Sequence, residues 1–128
     1  MGYVIGCLMA GLSFLLNKLL LKYVGIKVVI SYSPVVEEVS KTLCSYYLAA
    51  DIIITHMIFG ILEASYDWYQ QRSKERGRIA ALLSIAGHTL FGAVTVAAFK
   101  LSESIFLAIT IAIAVHLIWN VTWIRLSA

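Results

Sequence analysis

The sequence predicts an all-α fold: a polytopic transmembrane bundle of about five helical spans, forming a single membrane-embedded domain over residues 1–128. Three observations point there. Hydrophobic residues make up 61% of the chain and charged residues only 13%, where soluble domains average about 45–50% and about 25%. Apolar stretches near the ~20 residues needed to cross a hydrocarbon core recur along the chain. Lysines and arginines gather at the ends of those stretches, as membrane-flanking charges do.

The elements follow in order. Span 1 covers about Gly2–Leu21, with Gly2, Gly6, Ala10 and Ser13 supplying small residues for close helix contact. Lys18 and Lys22 snorkel from its far end. A basic leader is missing, and Asn17, Lys18 and Lys22 stand where a small-residue cleavage site belongs, so this is a retained span and not a signal peptide. Tyr23–Tyr32 holds Lys27 and the apolar run Val28–Ile30, which suits either a tight connection or a partly embedded one. Ser33 reads as an N-cap and Pro34 as a first-turn proline, starting span 2, which runs to about Ala50.

A break near Asp51 opens span 3, about Ile52–Gln71. The polar segment Gln70–Arg78 is an aqueous loop. Span 4 follows at about Ile79–Phe99, Lys100–Glu103 makes the next turn, and span 5 covers about Ser104–Leu126, with Trp119 and Trp123 as interfacial anchors. Cys7 and Cys44 fall on different spans without a CxxC or Cys/His neighbour, so both are expected as buried free thiols.

This arrangement collects Lys18, Lys22, Lys27, the Arg72–Arg78 loop and Arg125 on one side, against Lys100, Asp51 and Glu103 on the other. The positive-inside rule then places the N-terminus outside and the C-terminus in the cytoplasm of a cell membrane. The net charge of +3 comes from these flanking residues, so it gives no reason to expect nucleic acid as a partner. Asn120-Val121-Thr122 spells a glycosylation acceptor but lies inside a span and carries no weight.

Charges within spans are the informative residues, because each costs at least ~2.5–3.5 kcal/mol to insert and so marks function by default. Glu37, Glu38 and Lys41 share the start of span 2. Glu38 and Lys41 are three apart and Glu37 and Lys41 four apart, so the ammonium can face both carboxylates. Two carboxylates beside a cation are the kind of group that separates acid from base roles; the structural alternative is an ion pair. On span 3, His56, Gly60, Glu63 and Asp67 return to one helical face. Glu63 lies nine residues before Arg72, His88 ten after Arg78 and His116 nine before Arg125. At 1.5 Å per residue all three fall in one layer, about 13–15 Å below the same surface. His56, about 24 Å from that surface, belongs near the opposite one. Asp67 is expected to pair with Arg72 or Lys74. Ser84, Gly87, Gly92 and Thr95 around His88 leave room for packing or for a substrate. His116 and Asn120, four apart, share a face as a hydrogen-bonding unit or as interhelical polar glue.

The order Glu37-Glu38-x-x-Lys41, Phe59-x-x-x-Glu63-x-x-Tyr66, His88-Thr89-Leu90-Phe91-Gly92 and His116-x-x-x-Asn120 resembles the PrsW family of membrane-embedded proteases, related to the type II CAAX prenyl endopeptidases. The resemblance spans about Pro34–Asn120. It implies an intramembrane endopeptidase of glutamic type that uses no cofactor and acts on a membrane-associated protein or peptide within the lipid bilayer. By that resemblance Glu37 is the general base that activates a water and His88 helps to hold the water. His116 and Asn120 stabilise the oxyanion, Glu38 and Lys41 orient the base, and Glu63 supports from behind. A glutamate with two histidines is also a catalytic zinc set, although no HExxH or other tight spacing favours it. A proton-coupled carrier and a non-catalytic scaffold are the readings outside proteolysis.

Overall fold

Helices account for nearly all of the chain. The computed structural model describes residues 1–23, 26–70 and 73–127, with side chains for all of these except 21, 26–30 and 124–127. Among them five helices follow one another: α1 (Gly2–Tyr23), α2 (Ile26–Tyr47), α3 (Ile52–Gln70), α4 (Lys74–Ser102) and α5 (Ile105–Ser127). No strand occurs among the described residues. Among the described residues, three segments are long and apolar enough to cross a membrane: Gly2–Leu20, Lys74–Ser102 and Ile105–Trp123. The other two helices, α2 and α3, are the ones that carry the carboxylates and the lysine described below.

The breaks are chemical. Asp51 accepts from the amide of Ile54 at 2.9 Å and caps α3. Ser73 caps α4 by accepting from Arg76 at 3.2 Å. At the C-terminal end of α4, Glu103 takes a left-handed conformation (φ 55°) and its amide returns to the carbonyl of Phe99 at 2.8 Å.

Two expected boundaries move. Ser33 and Pro34 do not start a helix; α2 begins at Ile26 and Pro34 lies inside it. An apolar run satisfies its backbone groups most simply by remaining helical, and Ser33 spends its hydroxyl on the Glu37 carboxylate one turn ahead, at 2.6 Å. Of the segment Tyr23–Tyr32, Tyr23 ends α1 and residues 26–32 belong to α2; Val24 and Gly25, where a tight connection would fall, lie outside the described residues. The aqueous loop is also shorter than Gln70–Arg78, since α4 starts at Lys74 and Lys74–Arg78 form its first turns.

Small residues set the packing. Gly2, Gly6, Ala10 and Ser13 are all buried on α1. A Cβ at Gly6 would stand 2.8 Å from Ile58 of α3. On α5 the buried stripe is Ile105, Ala108, Ile109, Ala112 and His116, the spacing of one helical face. The most extensive packing joins α3 and α4: a Cβ at Gly60 would lie 2.9 Å from that of His88, and one at Gly92 would lie 2.9 Å from that of His56. Two glycines thus bring two histidines inward. Outward-facing positions remain apolar, among them Leu8, Leu12, Leu15, Phe106 and Ile118. Both Cys7 and Cys44 are free thiols, but neither is buried: Cys44 is half-buried and Cys7 is exposed, on the outward side of α1.

Candidate active site

Glu37 and Glu38 are neighbours in sequence and face different surroundings, because consecutive helical residues point about 100° apart. Glu37 turns toward α1 and an open cavity. Its Oε1 accepts from Ser33 at 2.6 Å and from Ser13 of α1 at 3.1 Å. Glu38 is wholly buried. Its Oε1 accepts from the Lys41 ammonium at 2.9 Å and from His116 Nδ1 of α5 at 2.9 Å.

Lys41 is also wholly buried. Its ammonium reaches His88 Nδ1 at 3.0 Å and sits 4.2 Å from the centre of the Phe59 ring, a cation–π contact. An ammonium only donates, so His88 Nδ1 is the acceptor and Nε2 carries the proton. That proton goes to Glu63 Oε2 at 2.6 Å, an oxygen held as well by Ser84 at 2.5 Å. Both ring nitrogens of His88 are therefore occupied. The role implied for it, holding a water directly, has no free nitrogen to use in this arrangement.

His116 gives Nδ1 to Glu38, which leaves Nε2 for the cavity. Phe91 stacks on the His116 ring at 4.2 Å between centres, and the His88 ring meets His116 edge-on at 5.3 Å. The shared layer expected for Glu63, His88 and His116 is met. Asn120 lines the cavity one turn from His116 and makes no side-chain hydrogen bond among the described residues.

The cavity holds about 900 Å³. Glu37, Glu63, His88 and His116 lie toward its floor, while Asn17, Asp67, Arg76 and Trp123 lie nearer the end where α4 begins. Arg76 and His88 are twelve residues apart on α4, about 18 Å along its axis. Phe91 and Trp119 add an apolar wall.

His56 lies on the first turns of α3 and is wholly buried, with Nδ1 3.6 Å from Glu38 Oε2 and Nε2 3.4 Å from the Thr42 hydroxyl. Height counted along one helix gave no sign of these partners, which Gly92 brings within reach by letting α3 and α4 close at that level. Asp67 makes no ion pair with Lys74; Arg72, its other expected partner, lies outside the described residues, as do the side chains of Lys27 and Arg125. Ser13 and Ser33 had only local or packing roles in sequence, and nothing there assigned Ser84 to Glu63 or Phe91 to the His116 ring. A hydroxyl one turn before a buried glutamate was the available signal for Ser33.

Among the described residues, two trios bring ligand-type atoms within 4.8 Å of one another: Glu37, His88 and His116, and Glu38, His56 and His88. The Lys41 ammonium already bridges Glu38 and His88, so the second trio holds its cation covalently attached to the chain. The first trio faces the cavity and has the composition of a catalytic zinc set, and His88 would have to release Glu63 or Lys41 to join it. Of the three carboxylates gathered here, the Lys41 ammonium pairs with Glu38 alone and not with Glu37 as well; Glu37 is held by Ser13 and Ser33, and Glu63 by His88 and Ser84. No family model, no curated protein and no solved structure matches this chain.

Proposed function

We propose that the chain is an intramembrane endopeptidase that hydrolyses a peptide bond of a membrane-associated protein with a water activated by Glu37. One observation carries the reading: Glu37, His88 and His116, from three helices, bring a carboxylate oxygen and two ring nitrogens within 4.8 Å of one another on a cavity that Asn120 also lines. In this reading all five helices span the membrane, with α2 and α3 turning their polar residues inward among α1, α4 and α5. A cavity of about 900 Å³ matches the ~300–1,000 Å³ of small-ligand sites and suits a short peptide segment.

The chemistry follows from the hydrogen bonds. Ser13 and Ser33 both hold Glu37 Oε1, which directs Oε2 to a water. Glu37 takes a proton from that water as its oxygen bonds the scissile carbonyl carbon. The carbonyl oxygen becomes an oxyanion, and Asn120 with protonated His116 Nε2 donates to it. Collapse breaks the C–N bond, and the proton on Glu37 passes to the leaving amine. Glu38 orients His116, and the Lys41–His88–Glu63 chain braces the floor.

Reconstituted protein acting on a transmembrane reporter peptide tests this. Glu37→Gln is expected to abolish cleavage, and Asn120→Ala to lower kcat by about 10²–10³. Full activity in Glu37→Gln ends the proposal. A proton-coupled carrier is the second reading, favoured by the unbroken hydrogen bonds from Glu63 through His88, Lys41 and Glu38 to His116. Solute flux in proteoliposomes without proteolysis would select it.

A further inference from the structure

We infer that His56 is a positioning residue of this site: by anchoring Glu38 it holds His116 with Nδ1 protonated and Nε2 presented to the cavity. The resemblance assigns His56 nothing, and its place in sequence points elsewhere. Among the described residues, two buried side-chain atoms lack a hydrogen-bond partner, Glu38 Oε2 and His56 Nδ1. They face each other at 3.6 Å. A buried polar atom is costly to leave unpaired, and one proton on His56 Nδ1, closing the last ~0.6 Å to ordinary hydrogen-bond length, satisfies both.

The surroundings favour that proton position. The Thr42 hydroxyl lies 3.4 Å from His56 Nε2 and can donate to it, which leaves Nδ1 as the N–H of a neutral ring. Glu38 Oε1 is committed to Lys41 and His116. With Oε2 anchored by His56 of α3, the carboxylate cannot turn about its last torsion, and Oε1 stays directed at α5. An ionised carboxylate accepts only, so His116 must offer Nδ1–H to it. Gly92 is part of the same device, since a Cβ there would stand 2.9 Å from that of His56.

The test uses full-length protein in lipid nanodiscs with ¹⁵N-labelled histidine rings, read by NMR. In the wild type, His56 and His116 are both expected to carry a proton on Nδ1. His56→Ala should change the ring pattern of His116. His56→Asn, whose side-chain amide stands where Nδ1 stood, should restore it. The kinetic consequence rests on the endopeptidase reading: His56→Ala should lower kcat for the reporter about tenfold with KM unchanged, as loss of a supporting hydrogen bond commonly does, and His56→Asn should recover it. An unprotonated His56 Nδ1 in the wild type overturns the inference without any variant, and so does an unchanged His116 pattern in folded His56→Ala. The NMR arm needs no proteolysis, so active Glu37→Gln would dispose of the endopeptidase and leave the histidine geometry to be judged separately.

Discussion

Lys41→Met removes an ammonium while keeping most of the side-chain volume, and its cost follows from what the ammonium touches. Lys41 has no exposure and holds Glu38 at 2.9 Å and His88 at 3.0 Å, with Phe59 beneath it. Removing one partner of a buried ion pair costs about 3–5 kcal/mol, because the other charge stays buried without compensation. Here it also leaves three carboxylates with no lysine among them. Equilibrium unfolding in mixed micelles should show a loss in that range. Glu38→Gln alone should be costly for the same reason, since it strands the ammonium. The double variant Glu38→Gln/Lys41→Met should lose less than the two singles together, with a coupling of about 1–3 kcal/mol for groups in direct contact. A Lys41→Met protein within about 0.5 kcal/mol of wild type, the range of an ordinary surface change, would refute the buried cluster as the bond between α2, α4 and α5.

Two further predictions bear on packing and chemistry. Gly60→Ala places a methyl 2.9 Å from the His88 Cβ and should destabilise by about 1–3 kcal/mol through overpacking, whereas Gly11→Ala, with open space around it, should be neutral or stabilising by up to about 1 kcal/mol from helix propensity; thermal unfolding of the pair reads the difference. Chelation with 1,10-phenanthroline should leave reporter cleavage unchanged, and loss of activity restored by Zn²⁺ would instead make Glu37, His88 and His116 metal ligands.

Much of this was legible from residue order. The three apolar helices, the breaks near Asp51 and Glu103, the presence of a polar break between α3 and α4, and the small-residue face of α1 all follow from local chemistry, which depends on neighbours within a few residues. The layer shared by Glu63, His88 and His116 was legible too, because depth along a helix is linear in residue number. Those rules failed where a second helix intervened. Ser33-Pro34 has the local signature of a helix start, yet the helix continues upstream and the serine binds Glu37.

Composition and order alone determined that the chain is helical, that long apolar segments recur, and that a few ionisable residues stand within them. Tertiary structure decided how those residues divide the work. It set Glu37 on the cavity and Glu38 in the interior, filled both nitrogens of His88, and drew His56 in behind Gly92. The reason is directional. Helical periodicity gives each side chain an angle and a height, but its partner depends on how closely the facing helix approaches, and that distance is set by residues far away in the chain.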